Sequence, residues 1–424
     1  MRLLYSFLWW LAMPLVLGRL WWRGRKEPGY RRHLGERFGY YGPTLRPDQQ
    51  LRRTIMVHAV SVGETRAAEP LVEALLRAWP DCRILLTHMT PTGRATGKAL
   101  FGKHGERVMQ SFLPYDTGFM VGRFLRHFSP SVCILMETEV WPNLIAGCED
   151  HGVPVALVNA RLSERSLRRG QRFGGIMMEA ARGITLAAAQ TEADAARIAS
   201  LGAPRVAVTG SIKFDVVPPD AALQTGAMLR SHFARRLVLL CASTREGEEA
   251  LILDAYRALA DKPPGMLLLL VPRHPQRFDE VARLAEERGL SLARRSALTE
   301  QVSADVLLGD SMGEMFAYFA ACDCAFIGGS LLPLGGQNLI EACAVGKPVL
   351  VGEHTFNFLQ ATEEAVAAGA ALRVPDAGAL MGEAVRLLSD DGARARMSEH
   401  ALRFAKRHRG ATLRTVELLR QLIA

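Results

Sequence analysis

Past residue 53 the chain alternates short apolar runs of β type with segments of helical periodicity. The apolar runs occupy 54–60, 83–87, 131–136, 154–158, 183–189 and 206–209, and the alternation restarts at 237–242, 266–271, 305–308, 324–327 and 348–351. Parallel strands need a long crossover between them, and strands covered on both faces read as near-continuous apolar runs. The alternation therefore predicts an α/β architecture of parallel sheets covered by helices. Between the two sets lies VVPPDAA (216–222), whose Pro-Pro pair fits neither periodicity and marks a domain boundary. Two α/β domains are expected, 33–215 and 223–424, facing one another across a deep cleft that is the default binding site.

Residues 3–22, LLYSFLWWLAMPLVLGRLWW, add a second constraint. Twenty helical residues span ~30 Å, about one hydrocarbon core. Only 3–18 are free of charge, and Pro14 interrupts them. Arg19 can snorkel, and Trp9, Trp10, Trp21 and Trp22 suit the headgroup boundary. The cationic run RGRKEPGYRR follows, of the kind attracted to anionic lipid.

The formal net charge of +9 belongs almost wholly to this region, because residues 1–60 hold eleven Lys/Arg, Arg46 and Arg52 among them, against three acids. The rest is near neutral, which argues against a basic nucleic-acid face. No small-residue cleavage site follows the apolar run, and the basic excess comes after it, unlike a secretory signal. Residues 1–32 are therefore expected to be a membrane-anchoring helix and basic collar, with the domains on the cytoplasmic side. Spanning and interfacial helices read alike here.

The seven cysteines lie mostly in apolar runs, and the C-x-C of Cys322 and Cys324 lacks companion ligands for zinc, a pattern suited to a reducing compartment. Dinucleotide, Walker A and H-E-x-x-H motifs are absent, as is a D-x-D; the nearest acidic pair is Glu137 and Glu139, so no metal is expected.

Three segments share the pattern S-x-x-E: Ser61 to Glu64, Ser243 to Glu246 and Ser311 to Glu314. Each reads as a capping box, or as a helix start suited to phosphate or carboxylate. Arg273 and His274 end an apolar strand, where they form either a surface turn or a fork for phosphate oxygens. In GGQNLIE, Asn338 and Glu341 share one helix face, either capping a turn or accepting from ribose hydroxyls. Arg94 in TPTGR, Arg161 in NARLS and Lys213 in SIKFD each follow a strand and place a cation at the sheet edge, as solvated loops also do.

Taken in order, RGRKEPGYRRHLGERFGYY, HAVSVGET, MTPTG, LPYD, METEVWPNLI, NARLSERS, TGSIKFD, ASTREGEE, VPRHPQRF, GDSMGE, GGSLLPLGGQN and HTFNF resemble the 3-deoxy-D-manno-octulosonic acid (Kdo) transferases of lipopolysaccharide synthesis. The resemblance runs from the N-terminal segment to about residue 358, departing where Gln337 stands for the histidine of some relatives. It implies a GT-B glycosyltransferase of two facing Rossmann-like domains, needing neither metal nor cofactor, at the cytoplasmic face of the inner membrane. The donor it implies is CMP-Kdo and the acceptor a lipid A precursor. Glu64 is then the general base, with Glu137 and Lys213 stabilising the transition state. CMP is expected on Arg273, His274, Met312, Gly313, Glu314, Asn338, Leu339, Ile340 and Glu341, and the acceptor on Arg94 and Arg161. A GT-B transferase using another nucleotide sugar on a lipid-linked acceptor is the alternative, and a non-catalytic membrane-tethered scaffold the reading from a different class. One tension accompanies Glu64: the helix dipole lowers the pKa of a first-turn glutamate, whereas a base gains from a raised one.

Overall fold

The computed structural model describes residues 2–42, 51, 53–172 and 174–423, so Arg46 and Arg52 of the basic N-terminal sixty residues lie outside the described residues. The chain forms two compact units, Met1–Asp215 with Arg409–Ala424, and Val216–His408.

The first unit holds β1 (Arg53–His58), β2 (Cys82–His88), β3 (Val108–Phe112), β4 (Val132–Met136), β5 (Val155–Ala160), β6 (Leu186–Ala189) and β7 (Val206–Val208). They pair in parallel throughout, in the order β3-β2-β1-β4-β5-β6-β7. Every residue of β4 and β5 is buried, which requires cover on both faces. Successive side chains of a strand supply the two faces in turn. Ile55 and Val57 enter the layer containing Leu71 and Leu75 of the helix Glu69–Ala78, while Met56 between them enters the layer containing Phe124 and Leu144.

The second unit holds β8 (Val238–Thr244), β9 (Leu267–Pro272), β10 (Leu292–Arg294), β11 (Val306–Leu308), β12 (Cys324–Ile327), β13 (Val349–Val351) and β14 (Ala371–Arg373). These are also parallel, in the order β10-β11-β9-β8-β12-β13-β14. Leu239, Leu268, Val306 and Phe326 of its central strands bury one face against Ile252, Val281 and Leu387. All seven cysteines are buried free thiols, as their apolar surroundings suggest.

One expectation differs at its edge. The helix Ala411–Leu419, placed by sequence in a 223–424 domain, packs Ala411, Val416 and Leu419 into the core of the first unit. Asp215 fixes its start by accepting from the backbone N–H groups of Gly410 and Thr412, which otherwise have no partner at a helix N-terminus.

The N-terminal helix runs unbroken from Arg2 to Lys26, through Pro14, and is long and apolar enough to cross a membrane. One of its faces rests on the first unit, where Met13 packs with Tyr115 and Met120.

Candidate active site

The strand order in each sheet reverses direction at one central pair, β1 and β4 in the first and β8 and β12 in the second, with β10 and β11 exchanged at the edge of the second. Loops leaving the carboxyl ends of such a pair run to opposite sides and open a crevice there. In the first unit those loops carry Glu64 after β1 and Glu137 and Glu139 after β4. Topology therefore gathers carboxylates that are distant in sequence.

Glu64 lies in the first turn of the helix Val62–Ala67. The capping box reading holds only in part, because Ser61 makes no side-chain cap bond. Glu64 instead accepts through Oε2 from the backbone N–H of Val60 at 2.7 Å. The tension over its pKa is resolved in favour of burial, which lifts the carboxyl to about 7. The N–H of Val60 opposes the rise, Glu139 and Glu137 reinforce it, and Lys213 counteracts it. A carboxyl near 7 is matched to proton transfer at neutral pH.

Glu137, 6% exposed, is clamped between two cations, with Lys213 Nζ at 2.8 Å and Arg161 Nε at 3.3 Å. Both cations lie within ion-pair distance of this one carboxylate, and their remaining N–H groups are donors suited to an anionic substrate group. Glu137 adopts the left-handed φ of +57°, and so does Asn159 on β5 at +51°. Such conformations are costly for residues other than glycine and tend to mark functional sites. Asn159 sits within an irregularity of the β5–β6 pairing. Its Oδ1 accepts from the N–H of Ile212 at 3.1 Å, steadying the turn Ile212–Asp215 that carries Lys213.

Glu139 is the member that motif reading passed over. Burial raises its pKa, and Trp141 Nε1 donates to it at 2.8 Å. Its signal was present in METEVW, but nothing in the spacing says that both acids face the same loop as Glu64.

Arg161 thus joins the carboxylate cluster. Arg94 is placed elsewhere: it is ion-paired to Glu36 at 2.6 Å and lines a cleft of about 660 Å³ with Arg32, His33 and Lys98. None of Glu64, Glu137 and Lys213 lines that cleft.

In the second unit, Arg273 and His274 follow β9 directly, and the N–H of Arg273 donates to Thr244 O at 2.9 Å, joining the β8 and β9 loop ends. Burial and then the charges of Arg245, Arg273 and Arg277 hold the His274 pKa below its ordinary value. Asn338 Nδ2 donates to Glu341 Oε1 at 3.0 Å, and Asn338 Oδ1 accepts from the N–H of Ile340 at the start of the helix Ile340–Ala344. Leu339 and Ile340 are each 1% exposed, so their side chains belong to the core.

The other two S-x-x-E segments are corrected by the structure. The helix expected after Ser243 begins only at Glu248, and Glu246 is exposed. Glu248 is fully buried and accepts from the N–H groups of Arg245, Gly329 and Leu331 at 2.9, 2.6 and 3.0 Å. It therefore ties the β8 loop to the glycine loop after β12, a role no local motif announced. Glycine at 328 is required by the same closeness, since a Cβ there would fall 2.6 Å from Ser243 O and from Thr244 Cα. The segment Ser311 to Glu314, read as a helix start, precedes the helix, which begins at Met315. Gly313 adopts φ +83°, Ser311 donates to the Glu314 carboxylate, and Arg295 pairs with Glu314 at 3.1 Å. Met312 is 54% exposed on this turn. Among the described residues no group of three or more His, Cys, Asp or Glu is arranged to hold a metal ion.

Comparison with known proteins bears on this arrangement. Residues 32–216 match the family model described as 3-Deoxy-D-manno-octulosonic-acid transferase (kdotransferase). The UDP-GlcNAc 2-epimerase of Neisseria meningitidis is similar in fold, with a TM-score of 0.58 at 16% identity over 87% of this chain and 100% of that one. Two parallel-sheet α/β domains of GT-B type are thereby supported. The 3-deoxy-D-manno-octulosonic acid transferase of Haemophilus influenzae is 38% identical over 99% of this chain and 98% of its own. That of Bordetella pertussis is 48% identical over 96% of each. Likeness at that level across nearly the full length of both chains means that this chain belongs to the Kdo transferase family.

Proposed function

We propose that this Kdo transferase moves Kdo from CMP-Kdo to a lipid A precursor at the cytoplasmic face of the inner membrane, with Glu64 as general base and no metal ion. The observation that carries the reading is Glu64 itself: a half-buried carboxyl lifted to about 7 beside a carboxylate held by two cations. An acceptor sugar hydroxyl is a weak nucleophile and needs its proton removed as it attacks. Glu64 takes that proton while the hydroxyl oxygen bonds to the anomeric carbon of Kdo. The bond from that carbon to the phosphate oxygen breaks, and its electron pair leaves with CMP. Arg273 and His274 donate to the phosphate as its charge grows. Lys213 and Arg161 meet the Kdo carboxylate, and Glu137 holds both cations in place and offsets positive charge developing on the sugar.

Within the second unit, Asn338 and Glu341 suit ribose hydroxyls, whereas Met312, Gly313, Glu314, Leu339 and Ile340 would meet CMP mainly through their backbone. Arg94 and Lys98 offer acceptor phosphates a cationic wall in their own cleft. The N-terminal helix and the arginines after it suit an anionic inner-membrane surface, where an acylated acceptor resides.

Incubation with CMP-Kdo and a tetra-acylated lipid A precursor tests donor and acceptor together. The acceptor is expected to gain the mass of one or more Kdo units with release of CMP, and UDP- or GDP-sugars to leave it unchanged. Transfer from either of those sugars in place of CMP-Kdo would overturn the donor assignment. Arg273→Ala is expected to weaken CMP binding by about ten- to a hundredfold, the loss of one hydrogen bond to a charged group. Calorimetric titration with CMP reads this directly, and unchanged affinity would remove Arg273 from the donor site.

A further inference from the structure

The N-terminal helix is apolar on nearly every side, yet its two faces have different surroundings. One stripe is docked on the first unit, at positions recurring every three or four residues. Ser6 Oγ accepts from Asn143 Nδ2 at 3.0 Å, Trp9 lies against Tyr115 with ring centroids 5.7 Å apart, and Met13 is 6% exposed. Val16 and Leu20 continue the stripe onto the same cluster. At the start of the helix Arg2 pairs with Glu179 at 3.1 Å. Arg2 to Leu20 is about 27 Å of helix, nearly the depth of a hydrocarbon core.

A helix docked over that length cannot cross a bilayer without drawing its partners in. Those partners include Asp116, Asn143 and Glu179, and Asp116 is buried where it accepts from the N–H groups of Asn143 and Leu144. Leaving the dock would bare Tyr115, Met120, Asp116 and Asn143, all now at most 5% exposed. On the opposite stripe Leu3, Phe7, Leu11, Leu15, Trp21 and Trp22 are between 61% and 89% exposed. Arg19, Arg23 and Arg25 are exposed at the tryptophan end, and Arg31 stacks over Trp21 at 4.0 Å. An apolar stripe that ends in tryptophans and arginines is complementary to anionic headgroups over acyl chains.

We infer that this helix lies in the plane of an anionic lipid surface as a fixed part of the first unit and does not cross the bilayer. The apolar stripe inserts among the upper acyl carbons while the arginines meet the headgroups. The docked face also leads to the candidate base. Met89 packs on the same Met13, Tyr115 and Met120 cluster as Trp9 and Leu20, its N–H donates to Val60 O at 3.2 Å, and the N–H of Val60 donates to Glu64. A helix lying flat therefore holds the Glu64 loop at the lipid surface, where a hydroxyl on an acylated acceptor is presented.

The inference rests on the membrane location proposed above, and two measurements separate their failures. The full chain is first tested for flotation with sealed inverted inner-membrane vesicles, whose cytoplasmic face is outward. Absence from the floating fraction would overturn the membrane location and this inference with it. In floated protein, Arg2→Cys is treated with a membrane-impermeant maleimide; the native cysteines are buried and give little background. Labelling of intact vesicles equal to that after detergent is expected, whereas labelling only after detergent would show a spanning helix. The double variant Ser6→Cys/Asn143→Cys is then oxidised in the membrane. Cross-linking of most of the floated chain is expected, and a floated chain that cannot be cross-linked would overturn the docked arrangement while leaving membrane attachment standing.

Discussion

Replacing Glu64 by Gln should lower kcat for Kdo transfer by about a thousandfold, within the range that general base catalysis supplies. The amide is nearly isosteric, and its oxygen can still accept from the N–H of Val60, so fold and CMP affinity are expected to persist. The pH profile supplies the sharper test. A base works only when deprotonated, and burial lifts Glu64 to about 7. Wild-type kcat/KM should therefore rise as pH increases through about 7 and level off above it. The residual activity of Glu64→Gln should lack that limb. A variant with full activity, or with the limb unchanged, would remove Glu64 as the base.

The second large effect concerns stability. Glu248→Ala leaves the N–H groups of Arg245, Gly329 and Leu331 without their shared acceptor in a fully buried position. Each unsatisfied buried donor costs about 1–3 kcal/mol, and partial relaxation brings the total to roughly 3–5 kcal/mol. For a unit of this size that corresponds to a fall in Tm of about 10 °C. Calorimetry should show this in the transition of the second unit, together with weakened CMP binding as the glycine loop loses its tie. Glu246→Ala is the contrast, since Glu246 is exposed and its loss should shift stability by no more than about 0.5 kcal/mol. Equal effects of the two substitutions would refute the role assigned to Glu248.

That pair also shows where sequence reading stopped. S-x-x-E is a local signature, and it pointed to Glu246 because Glu246 stands three residues after Ser243. The helix starts later, after Gly247 in a left-handed turn, so the buried acceptor is two residues further on. Strands followed the same division. Central strands were legible because burial on both faces makes them continuous apolar runs. β3, β10 and β14 were not, and all three are sheet edges with partly exposed side chains, whereas the remaining edge, β7, was legible from its valines. In the candidate site, Glu64, Glu137 and Lys213 came from motifs and family resemblance, whereas Glu139 and the clamp of Arg161 on Glu137 did not.

Alternation of apolar runs and helical periods by itself determined two parallel α/β domains, because side-chain periodicity is a local property of the chain. Motif order determined the family in the same way. Only the tertiary structure decided the strand order that sets the β1 and β4 loops side by side and the burial that outweighs the helix dipole at Glu64. It alone decided which face of the N-terminal helix is spent on protein and which is left for lipid. The reason is common to all three: desolvation and charge coupling depend on distances through space, and no periodicity along the chain encodes them.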